Sequence, residues 1–240
     1  GLIVNNTFID CGKSSGSTNY GGVQAIQIQQ GNNNQIIGCN FTNCTSTLGG
    51  GAIRLQGDGS NLVNNITIAD CHFDNCTAQQ SAGAIYMNSP VRNVKLENNT
   101  FTGNHAPNYG ALFIDDAATI SSFVNNNFTN NSATASDGNG GAARLNANIN
   151  VVNSTFTANS CNGSGGAIYT SGVINVLGST FENNTAKFGG AIATENSNLV
   201  IDQSTFKYNK AESGSAISAT TLSMSNTELL ENQAAFDKWE

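Results

Sequence analysis

Two histidines, six cysteines and sixteen carboxylates are the side chains of this 240-residue sequence that could transfer protons, attack a carbonyl or hold a metal. Their spacing argues against each role. Pectin-type hydrolysis uses clustered carboxylates, and the best local match is Asp115-Asp116. Adjacent residues of a strand point to opposite faces, and no Gly-His-Gly or Arg-x-Lys lies nearby to complete a set. A polysaccharide lyase needs acids around calcium and a basic residue to abstract a proton. Here Asp58, Asp70, Asp74, Glu97, Asp137, Glu182, Glu195 and Asp202 are scattered singly. The loop Asp137-Gly-Asn-Gly-Gly141 lacks the acid placement of calcium-binding nonapeptide repeats. His72 and His105 read as surface residues. No catalytic residue, metal or cofactor is expected.

The charge balance narrows the partners. Nine basic residues against sixteen acidic ones give a net charge of -7, and charged residues make up only 10% of the chain. Nucleic acid requires a basic footprint, and anionic lipid a basic anchor, so neither is an expected partner. No run of 18 apolar residues is present, so no membrane-spanning helix and no membrane insertion by this segment are expected. Gly1-Leu2-Ile3-Val4 lacks the charged region of a signal peptide. Asn supplies 38 residues and Gly 26, which directs attention to turns and repeats.

A phenylalanine recurs in a common setting at Phe8, Phe41, Phe73, Phe101, Phe128, Phe156, Phe181 and Phe206, and Leu229 stands in the same place in a ninth copy. The spacings are 33, 32, 28, 27, 28, 25, 25 and 23 residues. Between the phenylalanines lies Gly-Gly-Ala-Ile, as at Gly50–Ile53, Gly165–Ile168 and Gly189–Ile192, with looser copies such as Ala82–Ile85 and Tyr109–Leu112. Short runs with period-2 alternation follow, such as Ile53-Arg54-Leu55 and then Ile66-Thr67-Ile68. Each repeat therefore predicts three short strands, and about nine repeats predict an all-β, right-handed parallel β-helix of about nine coils. At a strand spacing of about 4.8 Å the rod is roughly 40 Å long. The domain is expected over residues 1–233, with 234–240, which carries the single Trp239, as a tail or partial cap. The segment starts and stops mid-repeat, which predicts a piece of a longer chain or of an assembly.

Stacked coils turn like residues into columns. The phenylalanines should face inward and stack. Three residues later runs Cys11, Cys44, Cys76, Asn104, Asn131, Asn159, Asn184, Asn209, Asn232. Asn there suits a left-handed turn or a coil-to-coil amide ladder, and its replacement by Cys predicts burial. Cys39 and Cys71 share a column, and Cys161 falls in a column of alanines. All six thus read as buried fillers, with disulfides between adjacent coils the alternative. Zinc is not expected, because Cys39-x4-Cys44 and Cys71-x4-Cys76 split into different columns.

Gly-Gly-Ala-Ile alternating with Phe-x-x-Asn, as in Phe101–Asn104, Phe128–Asn131, Phe156–Asn159 and Phe181–Asn184, resembles the paired repeat of the chlamydial polymorphic outer membrane proteins. It is similar as well to Asn-rich adhesin-like surface proteins of methanogenic archaea and of protists. The resemblance covers nearly the whole chain and implies an extracellular, cell-surface β-helix used for attachment or envelope structure. Its partner would be a host or neighbouring-cell glycan or protein, or further copies of itself.

Two outward stripes and the sequons complete the candidates. The residue between the two buried aliphatics reads Gln27, Arg54, Tyr86, Phe113, Arg144, Tyr169, Ala193, Ser218. Arg54, Tyr86, Phe113, Arg144 and Tyr169 form a candidate contact stripe for a sugar or protein, against the plainer reading of cross-strand stacking. Thr42, Thr100, Thr102, Thr129, Thr155 and Thr157 flank the phenylalanine column, and paired Thr ranks suit ice binding, although His72/Asp74, Glu182 and Lys207 interrupt them. Among eleven Asn-x-Ser/Thr sequons, Asn130 and Asn183 are the best glycosylation candidates. A non-catalytic adhesin or structural spacer is the expected function. Ice binding and a polysaccharide lyase or hydrolase are the alternatives.

Overall fold

The computed structural model describes residues 1–12, 24–57 and 61–234. Among these residues all regular structure is strand, arranged in four parallel sheets of nine, nine, eight and eight strands. The chain visits the sheets in a fixed order once per coil. An aliphatic sheet runs from Leu2–Val4 to Thr221–Ser225, and a phenylalanine sheet from Thr7–Ile9 to Glu228–Leu230. A short sheet runs from Thr45–Ser46 to Gln233–Ala234, and a Gly-Ala sheet from Ile26–Ile28 to Ile217–Ser218. Every pairing joins a coil to the next one, as in Phe101↔Phe128 and Ile85↔Leu112. The result is a parallel β-helix.

The short sheet corrects the expectation of three strands per coil. Most of its strands are two residues long, such as His105–Ala106 and Ser132–Ala133. Two residues give alternation no length over which to register. The only trace in the sequence is the alanine column, where Ala133, Cys161 and Ala186 form a small buried cluster of their own. Ala234 pairs with Ala211 and so continues this sheet. The rest of the expected cap, including Trp239, lies outside the described residues.

The inward columns make the core. The seven phenylalanines of the repeat column from Phe41 to Phe206 are at most 1% exposed, as is Phe123 on the aliphatic sheet. Phe101 and Phe128 stack at 4.4 Å, and Phe128 and Phe156 at 4.8 Å with 2° between the ring planes. Burying each ring contributes about 2–3 kcal/mol as an upper estimate. Ile53, Ile85 and Leu112 on the Gly-Ala sheet and Ile66, Val94 and Leu96 on the aliphatic sheet face the same interior.

Corners follow from single left-handed residues. Three positions before each phenylalanine stand Asn98, Asn125 and Asn153 at φ 57°, 56° and 47°. Two positions after it stand Asn75, Asn130 and Asn183 at 51°, 55° and 57°. Asn tolerates this region because its short amide bonds locally. The left-handed turn expected of the Asn104–Asn131–Asn159 column therefore belongs to the residue before it. The column itself is the buried ladder: Asn104 Nδ2 donates to Asn131 Oδ1 at 3.0 Å and to the Phe73 carbonyl at 3.0 Å. A second ladder runs two positions before the phenylalanines. There the backbone N–H of Cys71 donates to Asn99 Oδ1, that of Asn99 to Asn126 Oδ1, that of Asn126 to Ser154 Oγ and that of Ser154 to Ser179 Oγ.

The two glycines of each Gly-Gly-Ala motif do different work. Gly165 has φ 72°, in the left-handed region, and a Cβ there would sit 2.1 Å from the Ile168 carbonyl oxygen of its own coil. Gly166 has no room for a side chain, because a Cβ there would sit 2.0 Å from the Gly190 carbonyl oxygen of the next coil. These close approaches let the alanine-to-aliphatic turn enter the core.

Candidate functional site

The residue between the two inward aliphatics of each Gly-Ala strand points outward, and in-register pairing sets Arg54 beside Tyr86, Tyr86 beside Phe113, Phe113 beside Arg144, and Arg144 beside Tyr169. All five residues of the stripe are brought together. The Arg54 guanidinium lies 4.8 Å from the Tyr86 ring centre, and Tyr86 stacks on Phe113 at 4.8 Å. Arg144 lies 5.2 Å from the Tyr169 ring centre. Fork contacts hold each guanidinium flat: Arg54 Nε donates to Gln56 Oε1 and Arg144 Nε to Asn146 Oδ1, both at 2.8 Å.

Tyr109 joins this ladder without having been foreseen. It occupies the first-glycine position at φ 56°, stacks on Phe113 at 5.3 Å and meets Arg144 through its hydroxyl. The signal was present: tyrosine stands where the other repeats carry Gly, Ala or Val. The ladder is also more buried than an outward stripe suggests, with Phe113 only 9% exposed. Ring faces are largely spent on one another, so what the middle of the ladder offers a partner is ring edges, hydroxyls and guanidinium groups. Burial shifts its titratable groups. It lowers Arg54 from the usual guanidinium range, opposed by Tyr86, and raises the Tyr86 hydroxyl, opposed by Arg54. Tyr169 is pushed up to about 12, first by burial and then by its hydrogen bond to the Glu195 carboxylate.

The threonine ranks lie on the phenylalanine sheet. Thr100, Asn127, Thr155, Thr180 and Thr205 form one in-register row, and Thr102, Thr129 and Thr157 a second. Thr42 pairs with Asp74, which separates it from Thr102. All six candidate threonines are half-buried. The second row ends in Glu182 and Lys207, whose charged groups lie 3.9 Å apart.

The remaining candidates are placed as follows. Asn130 and Asn183 are exposed at left-handed corners. His72 and His105 are exposed on their strands. Asp115 and Asp116 follow the strand in a turn, and their carboxyl groups lie close enough to interact, which corrects the expectation that they face apart. Asp115 Oδ1 accepts the Ala117 backbone N–H at 3.1 Å and so shapes a turn, and burial raises its carboxyl above the usual range. The six thiols are unbonded, five of them buried.

No curated protein and no solved structure matches the chain. The family described as right handed beta helix region matches residues 1–163 and, in a second overlapping match, residues 83–236. These matches span nearly all of the sequence and agree with the four parallel sheets. The chain therefore belongs to the right-handed β-helix family.

Proposed function

We propose that this β-helix is a non-catalytic, extracellular surface domain, an adhesin or structural spacer that presents its Gly-Ala sheet to a glycan or protein of a host or neighbouring cell, or to further copies of itself. The observation that carries the reading is the continuous ladder Arg54–Tyr86–Phe113–Arg144–Tyr169 on one face. Aromatic and arginine side chains are the residues enriched at contact surfaces, and a regular rod sets them about 4.8 Å apart. The likeness of the Gly-Gly-Ala-Ile and Phe-x-x-Asn repeats to chlamydial polymorphic outer membrane proteins and archaeal adhesin-like proteins supports the same use. The test is retention of the purified chain on immobilised glycans and on intact cell surfaces, beside Tyr86→Ser/Phe113→Ser/Tyr169→Ser with its fold checked by circular dichroism. The reading expects retention to be lost in the variant, and undiminished retention rejects it.

The in-register threonine rows favour a second reading, ice binding. A depression of about 340 Å³ lined by His72, Asp74 and neighbouring threonines breaks the flatness of that face. Thermal hysteresis in dilute solution decides it.

A further inference from the structure

The aromatic ladder stops abruptly. Tyr169 pairs with Ala193, and Ala193 with Ser218, so two coils carry small residues where five carry Arg, Tyr or Phe. Arg144 covers one face of the Tyr169 ring. The next position along the column is Ala193, a small residue that is itself buried. The vacancy is a cleft of about 380 Å³. Tyr169, Phe188, Ala193, Ser218, Glu195 and Asn196 are among the residues that line it. Phe188 is 42% exposed, among the larger apolar exposures of the chain.

We propose that this cleft binds one neutral pyranose ring at the end of a glycan, resting on the reading of the Gly-Ala sheet as a contact face. The size lies in the range of small-molecule clefts, roughly 300–1,000 Å³. The chemistry is that of a sugar. A pyranose has an apolar C–H face that suits an uncovered aromatic ring, and a ring of hydroxyls that needs fixed acceptors. Glu195 supplies them: its Oε2 accepts the Tyr169 hydroxyl at 2.5 Å, which fixes the carboxylate beside the ring and leaves Oε1 open to a sugar hydroxyl. Asn196 adds an exposed amide to the same lining. Lys187 Nζ lies 5.6 Å from the Phe188 ring centre and partly offsets the Glu195 carboxylate, so it is the net charge of -7 that disfavours a uronic or sialic acid. The smallness of Ala193 and Ser218 is what admits the ligand, and the ladder residues of the earlier coils fill the equivalent space.

The test is chemical-shift mapping on the labelled chain, titrated with methyl glycosides of glucose, galactose, mannose and N-acetylglucosamine. A ligand of this size is expected to bind with Kd of about 1 mM. Shifts should centre on Tyr169, Phe188 and Glu195. The informative variant is Ala193→Tyr, which extends the ladder by one ring at a position where preceding coils already carry large side chains. It should weaken binding at least tenfold while leaving the melting temperature unchanged or raised. Phe188→Ala, at an exposed position, should weaken it as well. Absence of shifts with every neutral glycoside, shifts centred elsewhere, or equal binding by Ala193→Tyr overturns the proposal, as does preferential binding of methyl glucuronide. If Ala193→Tyr is retained on cell surfaces as well as the parent while the ladder variant is not, the cleft is refuted and the adhesive reading stands.

Discussion

Asn131 Nδ2 donates to Asn159 Oδ1 at 3.0 Å, one coil further along, and the same amide donates to the Phe101 carbonyl one coil back at 3.0 Å. One side chain thus ties three successive coils, and its own Oδ1 accepts from the backbone and side chain of Asn104. Each amide satisfies groups that the core would otherwise leave unpaired.

Asn131→Ala removes these partners at a site with no solvent access. Unsatisfied buried groups cost about 1–3 kcal/mol each, so a loss of about 3 kcal/mol or more is expected. Urea denaturation read by circular dichroism checks the size, and hydrogen exchange should show the loss concentrated in the coils holding Asn104, Asn131 and Asn159, because a solenoid is stabilised between neighbours.

Neither of the paired glycines should tolerate a side chain, one because of its own coil and the other because of the next. Gly166→Ala places a Cβ against the Gly190 carbonyl and should be severely destabilising, since backbone rather than a flexible side chain must move. Gly165→Asn keeps a backbone conformation that Asn adopts elsewhere in the chain, but its Cβ would sit 2.1 Å from the Ile168 carbonyl oxygen, so it too should be strongly destabilising. Melting temperatures of the two variants give the comparison directly.

The thiols should be protected by the fold. Burial pushes both Cys71 and Cys161 up to about 12, so at pH 8 neither has a useful thiolate fraction, whereas Cys44, lowered to about 7 by its hydrogen bond with Cys76, is protected only by having no solvent exposure. Alkylation by iodoacetamide followed by mass spectrometry should label Cys11 first, as the one half-buried thiol, and the other five only on unfolding. Cys161→Ala should change stability by roughly 0.5 kcal/mol at most, because alanine fills that column in the neighbouring coils.

Tyr169 gives the fold a dependence on alkaline pH. Its hydroxyl is raised from 10 to about 12, so between these values the folded chain holds a proton that the unfolded chain has released. Its contribution to stability is fully present below pH 10 and is lost as the pH rises through 12. Spectrophotometric titration should show Tyr169 and Tyr86 ionising late, and Glu195→Gln should bring Tyr169 alone earlier by removing the carboxylate.

The sequence disclosed what repeats in kind. Phe41, Phe73 and Phe101 keep one residue type in one setting, so column, burial and coil number were all readable. The ladder through Asn104 was readable because Cys44 and Cys76 replace it only where a buried residue is tolerated. Its sister through Asn99 was not, since Cys71, Asn99, Asn126 and Ser154 change identity from coil to coil while keeping an acceptor in one place. The left-handed corners were assigned one residue late, because Asn occupies both Asn130 and Asn131 and only the backbone separates their roles. The cleft beside Tyr169 was invisible for a different reason. It exists through the smallness of Ala193 and Ser218, and period and composition give a small residue no special weight.

Every functional reading here depends on successive coils holding equivalent side chains in register, and engineered cysteines measure that most directly. Thr102 and Thr129 are paired on adjacent strands of the phenylalanine sheet, where Cα atoms lie about 4.8 Å apart, inside the range a disulfide spans. Thr102→Cys/Thr129→Cys should cross-link under mild oxidation, with mass mapping to that pair, whereas Thr102→Cys/Thr157→Cys, two coils apart, should not. Failure of the first pair, or equal cross-linking by both, would contradict the stacked-coil account and the sites built on it.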